Sequence, residues 1–345
     1  MGLREYIIRR LLLLIPTMLG VVVLIFAVLQ MIPPELRAVI YVTNPRQLQD
    51  IPNIVREYGL DRPVWEQFIT YLTEVLHGNF GYSVYYRQPV LEGLLRRFPA
   101  TVEIALLSSP FIIFFGIWLG TTAAVHRDKI PDHVSRVMSI VGTSLPSFLL
   151  GIVLIAIFVA QLRLTTVGRV TNIGTLLLRI KNGTYHEFTG FLLIDSLLNG
   201  DFLLFVDVVK HLILPMIVLV FIQSATMVRV TRSSMLEALG KTYIVAARAK
   251  GLSKKEVIYK HARRNALIPV ITISGLLVGG MLGGLIITET VFNFPGVGSY
   301  AAQAAQSFDV SVVTAYAMFS AIIFVLANLI VDILYAYIDP RIRLG

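Results

Sequence analysis

Residues 235–256 read MLEALGKTYIVAARAKGLSKKE, and the fold turns on what they are. Gly240, Lys241 and Thr242 spell the second half of a phosphate-binding loop, the mark of a soluble α/β nucleotide-binding domain. That loop needs Gly-x-x-x-x-Gly-Lys-[Ser/Thr], its first glycine turning sharply after an apolar strand so that successive backbone N–H groups surround the phosphates. Met235 occupies the glycine's place, and the residues before the tripeptide, RSSMLEAL, favour helix over strand. Gly240, Lys241 and Thr242 therefore cradle no phosphate, and the segment has to be read with what surrounds it.

What surrounds it is apolar. Of the 345 residues 56% are hydrophobic and the mean hydropathy is +0.75, more than a water-soluble core can use. A hydrocarbon layer of about 30 Å takes roughly 20 helical residues to cross. Six runs are long enough: Ile7–Ile32, Thr101–Val125, Val137–Gln161, Leu212–Val230, Leu267–Thr288 and Val312–Tyr337. The chain thus reads as an all-α membrane protein of six transmembrane helices, and residues 235–256 fall between the fourth and the fifth. The first run has the basic start of a signal peptide, but its apolar part exceeds the usual length of about 7 to 15 residues and no small-x-small site follows, so it reads as a retained span. The absence of cysteine removes disulfides, thiolate metal sites and cysteine catalysis.

A net charge of +9 raises the question of a nucleic-acid partner, which the distribution of the charge answers. With the N-terminus in the cytoplasm, the inward segments are residues 1–10, the loop around Arg127, the loop after the fourth span and the tail from Asp339. Counted with Arg229 at the inner end of the fourth span, they hold 18 of the 30 Lys and Arg but 6 of the 21 Asp and Glu, whereas the outward segments hold 12 and 13. Basic residues gather on one side, as they do on the cytoplasmic side of membrane proteins. Both termini are then cytoplasmic, and no nucleic-acid partner is implied.

Two long segments face outward. Residues 33–99 read as one or two short amphipathic helices with turns at Gly59 and Gly78, ending at Pro99 before the second span. Residues 162–210 are partly apolar but too interrupted for a span, and are expected to pack on the outer mouth; Asn182-Gly183-Thr184 within them reads as an Asn-Gly turn rather than a glycosylation site. The organisation expected is residues 1–98 as a first span with its outer loop, 99–337 as a permease-like bundle with a cytoplasmic loop at 231–266, and 338–345 as a cytoplasmic tail.

Within the spans the polarity is mild. Glu103, Lys210, His211, Glu289 and Asp332 fall toward span ends, where they are expected to reach water or headgroups, so the midplane carries no ionisable group of the kind that couples an ion gradient to transport. Ser144, beside Pro146, and Gln223 and Ser274 either bond between helices or line a path. Gly279 and Gly283, four residues apart in SGLLVGGMLGGLIITET, either let neighbouring backbones approach or line the same path. No His-Glu-x-x-His pattern or nucleophile-base set is present, and His126 and His133 with Arg127, Asp128, Lys129 and Asp132 read as a solvated turn rather than a metal site.

The loop after the fourth span is more specific. SSMLEALGKTYIVAARAKG can form one helix to Lys250, closed by Gly251 in the left-handed conformation. Ser253 and Glu256 then have capping-box spacing and begin a second helix. The expected product is a glycine corner between two helices that exposes Ala246, Ala247 and Ala249 around Arg248 and Lys250. Such a surface suits anionic lipid or a groove on another protein, and composition does not choose between them.

Several blocks in register, ARAKGLSKKEVIYKHARRNALIPV, GGMLGGLIITETVFNFPGVGSY and LIVDILYAYIDPRIRLG, with YGLDRPVWEQF, GNFGYS and RRFPATVEIAL upstream, resemble the B-type permease subunit of dipeptide/oligopeptide ABC importers. The resemblance covers most of the chain. It implies a type I importer permease in the inner membrane of a prokaryote, moving di- or oligopeptides by alternating access, with no catalytic site or cofactor of its own. Partner subunits would use ATP and Mg: two ABC ATPases on the cytoplasmic face, with a paralogous second permease and an extracytoplasmic substrate-binding protein completing the assembly beside membrane lipid. The loop then becomes the coupling helix, with Ala246, Ala247, Arg248, Ala249, Lys250, Gly251, Ser253 and Glu256 meeting the ATPase. Val245 stands where the wider superfamily has an acidic residue, Arg264 where many relatives have proline, and MIPPELRAVIYVTNPRQLQ lacks the usual Pro-Gly-Asp-Pro-like turn. Close relatives handle oligosaccharides or nickel chelates, and an ion-coupled transporter acting alone is the reading from another class.

Overall fold

The computed structural model describes residues 3–338. The expected cytoplasmic tail at 338–345 and Asp339 fall almost wholly outside them, as does the side chain of Asp332. Hydrocarbon offers a backbone no hydrogen-bond partner, so the apolar runs fold as helices that bond within themselves. Five are Leu3–Leu29, Val90–Val125, Phe202–Leu239, Lys254–Leu282 and Val310–Ile338. The remaining run is broken into Ile130–Ser144 and Ser147–Gln161, bent by 98°.

That bend corrects the expectation of one straight span from Val137 to Gln161, and its cause is Pro146. Proline supplies no N–H and drives the residue before it out of helical conformation; Leu145 sits at φ −78, ψ 120. The second helix begins at Val90 instead of Thr101, so it passes through Pro99. Val90 and Leu94, one turn apart, are buried against Val297, Tyr300 and Ala304, and this packing extends the helix beyond its apolar run. The fifth helix ends before Gly283, earlier than the expected Thr288. Gly284 has φ +130, and a Cβ there would lie 2.5 Å from the Tyr316 hydroxyl.

The chain divides into two compact units. One comprises Met1–Val102, Phe188–Phe191 and Leu282–Gly345. In it Val22, Ile25, Phe26 and Leu29 of the first helix are buried with Met318 of the last and with Tyr41, Tyr71 and Tyr82 of the outer segment. The first span therefore packs on the sixth. The outer segment holds the expected turns, with Gly59 at φ +64 and Gly78 at φ +77, around helices Ile51–Glu57 and Val64–Leu76.

The other unit comprises Glu103–Glu187 and Leu192–Met281. Its helices touch through glycine: a Cβ on Gly116 would lie 2.3 Å from Met227 Cβ, one on Gly120 2.5 Å from Thr231 Cβ, and one on Gly142 2.6 Å from Ala225 Cβ. Small residues at such contacts let the dispersion contacts that hold membrane helices form along the backbones. Asn182 ends the helix Ile173–Lys181 and Gly183 follows at φ +70, the expected turn.

These contacts set a test of the packing. Gly116→Val is expected to cost about 1–3 kcal/mol, the usual penalty of overpacking, and to lower the Tm of the detergent-purified protein. Gly20→Ala, with nothing within 4 Å of the new Cβ, is expected to leave Tm unchanged or slightly raised. Equal losses in both would contradict the close approach at Gly116.

Candidate coupling site

The fourth span helix stops at Leu239, and a short helix, Thr242–Ala249, follows after a corner at Gly240 and Lys241. A continuous helix from Ser233 to Lys250 is thus not formed, and the Gly-Lys-Thr tripeptide marks the corner. Gly240 N–H donates to Leu236 O at 3.3 Å and Glu237 O at 3.1 Å, closing the long helix, and Lys241 is extended at φ −75, ψ 152. Lys241 Nζ lies 2.8 Å from a Glu237 carboxylate oxygen, and that hydrogen bond holds the amine above its ordinary pKa.

The far end of the elbow is fixed by short-range bonds. Gly251 N–H donates to Arg248 O at 2.9 Å and Leu252 N–H to Ala247 O at 3.3 Å, the paired closure that needs a left-handed residue, and Gly251 has φ +76. The next helix starts with the expected capping box: Glu256 N–H donates to Ser253 Oγ at 3.3 Å and Ser253 N–H to Glu256 Oε2 at 3.1 Å. From Lys254 the helical path runs to Leu282, so the elbow leads directly into the fifth span.

Ile244 and Ala247 face inward and are buried with Met235, Ala238, Val257, Ile258, Ala262 and Ala124. Ala247, expected on the exposed surface, is instead an anchor, because it lies three residues after Ile244 on one helical stripe. The outer face carries Ala246, Arg248, Ala249 and Lys250, and also Val245, which is 63% exposed. Gly251, Ser253 and Glu256 are exposed at the corner. Beside it lies a cavity of about 370 Å³ lined by Val125, Leu239, Arg248, Leu252, Lys254 and Val257 among others.

Asp132, expected in a solvated turn, is instead fully buried, held by partners far along the chain. Arg232 donates to it through Nε at 2.5 Å and Nη2 at 3.0 Å, Arg136 through Nη2 at 2.5 Å, and Asp128 through its backbone N–H at 3.0 Å. Two guanidinium groups offset the desolvation of one carboxylate, and the third span is thereby tied to the fourth one turn before Met235. No group of three or more His, Cys, Asp or Glu that could hold a metal occurs among the described residues.

The span-end charges also differ from expectation. Glu103, His211 and Glu289 are buried instead of reaching water. Glu103 accepts from Arg169 Nη2 at 2.6 Å and Leu193 N–H at 2.7 Å, and His211 lies 2.8 Å from Thr166 Oγ1 and 2.7 Å from Asp207 O. Glu289 accepts from Thr101 Oγ1 at 2.8 Å and Ser299 N–H at 2.7 Å.

The expected path residues differ in exposure. Ser144 is exposed at the Pro146 break, Gln223 is half-buried, and Gly279 and Gly283 are buried. Ser274 is buried with its hydroxyl donated to Val270 O at 2.7 Å. No hydrogen bond joins Ser144, Gln223 and Ser274 among the described residues.

Comparison with known proteins agrees with this architecture. Residues 112–344 match the family described as binding-protein-dependent transport system inner membrane component, and residues 3–105 match that family's N-terminal region. The chain is 42% identical over 342 residues, 98% of each chain, to the dipeptide transport system permease protein DppB of Escherichia coli K12. It is 41% identical over 340 residues, again 98% of each, to the di/tripeptide transport system permease protein DppB of Pseudomonas aeruginosa UCBPP-PA14. It is 36% identical over 341 residues, 98% of this chain and 99% of the other, to the glutathione transport system permease protein GsiC of Salmonella choleraesuis.

Asp132→Ala leaves two partly buried guanidinium groups without their shared carboxylate, and a loss of about 3–5 kcal/mol is expected, read as a lowered Tm in detergent. Asp128→Asn, which removes the charge of a side chain 67% exposed and keeps a residue suited to its φ of +60, is expected to change stability by about 0.5 kcal/mol or less. Similar shifts in the two variants would remove the buried tie.

Proposed function

The chain belongs to the family of binding-protein-dependent transport system inner membrane components, and from that membership we propose that its elbow, residues 242–256, is where separate ATPase subunits drive a permease that imports di- or oligopeptides. The observation that carries this reading is the elbow's two-sided build. Ile244 and Ala247 fasten it to the bundle, while small Ala246 and Ala249 beside Val245 leave an outer face that fits a groove, and Arg248 and Lys250 offer cations to its rim.

A push on this face has a direct route inward. The Gly251 closure and the Ser253–Glu256 box hold the corner, and the helix beyond it continues to Leu282. Displacement of the elbow therefore moves the cytoplasmic half of the fifth span as a rod. ATP-bound and ATP-free partners would favour different positions of that rod, which is alternating access by differential binding of two states. ATP and Mg act in those partners, and this chain contributes no bond-making step.

The proposed assembly contains two ATPase subunits, a second paralogous permease and an extracytoplasmic binding protein, with both termini of this chain in the cytoplasm by its basic bias. The peptide cargo follows from the names of the relatives. Ser144, Gln223, Ser274, Gly279 and Gly283 remain the proposed wall of the path; Gln223 supports this best, since its amide makes no hydrogen bond among the described residues.

Two variants test the coupling. Proline fixes φ near about −65° and cannot adopt the φ of +76 at Gly251, so Gly251→Pro is expected to abolish co-purification of the ATPases. Ala249→Trp enlarges only an exposed position, and is expected to lower ATPase retention and dipeptide-stimulated ATP hydrolysis at least about tenfold, with Tm unchanged. An Ala249→Trp assembly with full retention and activity would refute the docking face. Stimulation by an oligosaccharide or nickel chelate but not by dipeptide would refute the cargo alone.

A further inference from the structure

The elbow-side ends of the second and fifth spans enclose a cavity of about 210 Å³ that the coupling reading leaves unused. Its walls include Phe114, Trp118, Thr121, Thr122, Tyr259 and Arg263. Trp118 precedes the end of its helix at Val125, and Tyr259 and Arg263 follow the start of theirs at Lys254. At 1.5 Å per residue all three lie within roughly 15 Å of those helix ends. Arg263 stands four residues before the apolar run that begins at Leu267, and Trp118 seven before the end of the run at Val125, so the cavity spans the boundary between headgroups and acyl chains.

The chemistry of the walls is that of an anion site with an apolar approach. Arg263 is half-buried with its guanidinium 5.9 Å from the centre of the Tyr259 ring, and it forms no ion pair among the described residues. The Thr122 hydroxyl is engaged by Trp118 O at 2.8 Å, whereas the Thr121 hydroxyl is buried with no hydrogen-bond partner. Phe114 and Trp118, one turn apart, stack at 6.2 Å and 14° and are 59% and 54% exposed. A half-buried cation without a counter-ion is a ready partner for an anion. At this depth the anion at hand is a lipid phosphate, and basic pockets between spans on the cytoplasmic side take such headgroups. Tryptophan and tyrosine at the interface match the same boundary.

We propose that this cavity binds the phosphate headgroup of an anionic phospholipid, with Arg263 holding the phosphate and the Phe114 and Trp118 rings covering the first part of an acyl chain. The proposal depends on no assignment of cargo. A bound lipid would join the second span to the part of the fifth that the elbow moves, so the anionic lipid content of the membrane would bear on the stability of that contact.

The test uses the assembled transporter in nanodiscs of phosphatidylcholine with or without phosphatidylglycerol, with retained lipid counted by native mass spectrometry after release into detergent. Wild type is expected to retain phosphatidylglycerol in preference to phosphatidylcholine. Arg263→Gln is expected to lower that retention about fivefold, the worth of one basic contact at an anionic surface, and Arg263→Lys to recover most of it. Arg264→Gln, an exposed neighbour, should change nothing. If Arg263→Gln fails to assemble, Phe114→Ala is read in its place, with the same loss expected. Undiminished retention in Arg263→Gln or its substitute, or an equal loss in Arg264→Gln, overturns the site. Displacement of the lipid by millimolar inorganic phosphate overturns the lipid assignment in favour of a soluble anion, and displacement by dipeptide overturns it in favour of cargo.

Discussion

A backbone in hydrocarbon has to satisfy every N–H and C=O from within the protein, so each break in a span must be closed by the chain itself. The breaks here are few and each has its own closure. At Pro146, Leu145 N–H returns to Val141 O at 2.8 Å, and Pro146 O is taken by Leu149 and Leu150 N–H groups at 3.1 and 3.3 Å. At Gly240 and at Gly251 backbone bonds seal the preceding helix, and at Ser253 the capping box opens the next. The elbow is bounded on both sides by satisfied helix ends. It is therefore a stiff piece with two corners, which is the property a coupling element needs.

Buried charge is the second constraint, and it works across long sequence separations. Asp132 binds Arg232 and Glu103 binds Arg169. Such pairs are poor sources of net stability, because desolvation offsets much of their attraction, but breaking one is expensive. They behave as register pins. The helix carrying Arg232 is the one that ends at the elbow, so the Asp132 pin holds the support of the inner stripe of Ile244 and Ala247.

How much of this could be read from the sequence follows the range of each cause. Five of the six apolar runs became single helices because twenty or so apolar residues outweigh local detail, and the third is broken where Pro146 interrupts it. The Ser253–Glu256 box and the Gly251 closure also matched expectation, since both involve residues within a few positions of each other. Helix ends matched less well: the start at Val90 rests on packing with Val297 and Tyr300, some two hundred residues away. The inward turn of Ala247 was legible from its three-residue spacing to Ile244, but alanine composition pointed to an exposed surface. The burial of Asp132 had no local signal, because its partner Arg232 lies a hundred residues on.

The buried carboxylates bear on how the protein is driven. A gradient-driven transporter needs an acidic group that gains and loses a proton or an ion during the cycle, with the change opening one side and closing the other. Three buried carboxylates are engaged instead: Asp132 by two guanidinium groups and a backbone N–H, Glu103 by a guanidinium and a backbone N–H, and Glu289 by a hydroxyl and the N–H groups of Leu285 and Ser299. To release any of them for transport would strand several buried donors at once. Helices pinned in this way move as bodies more readily than they exchange partners one by one. Work delivered from outside, at an exposed and stiff elbow, suits such a bundle better than titration within it.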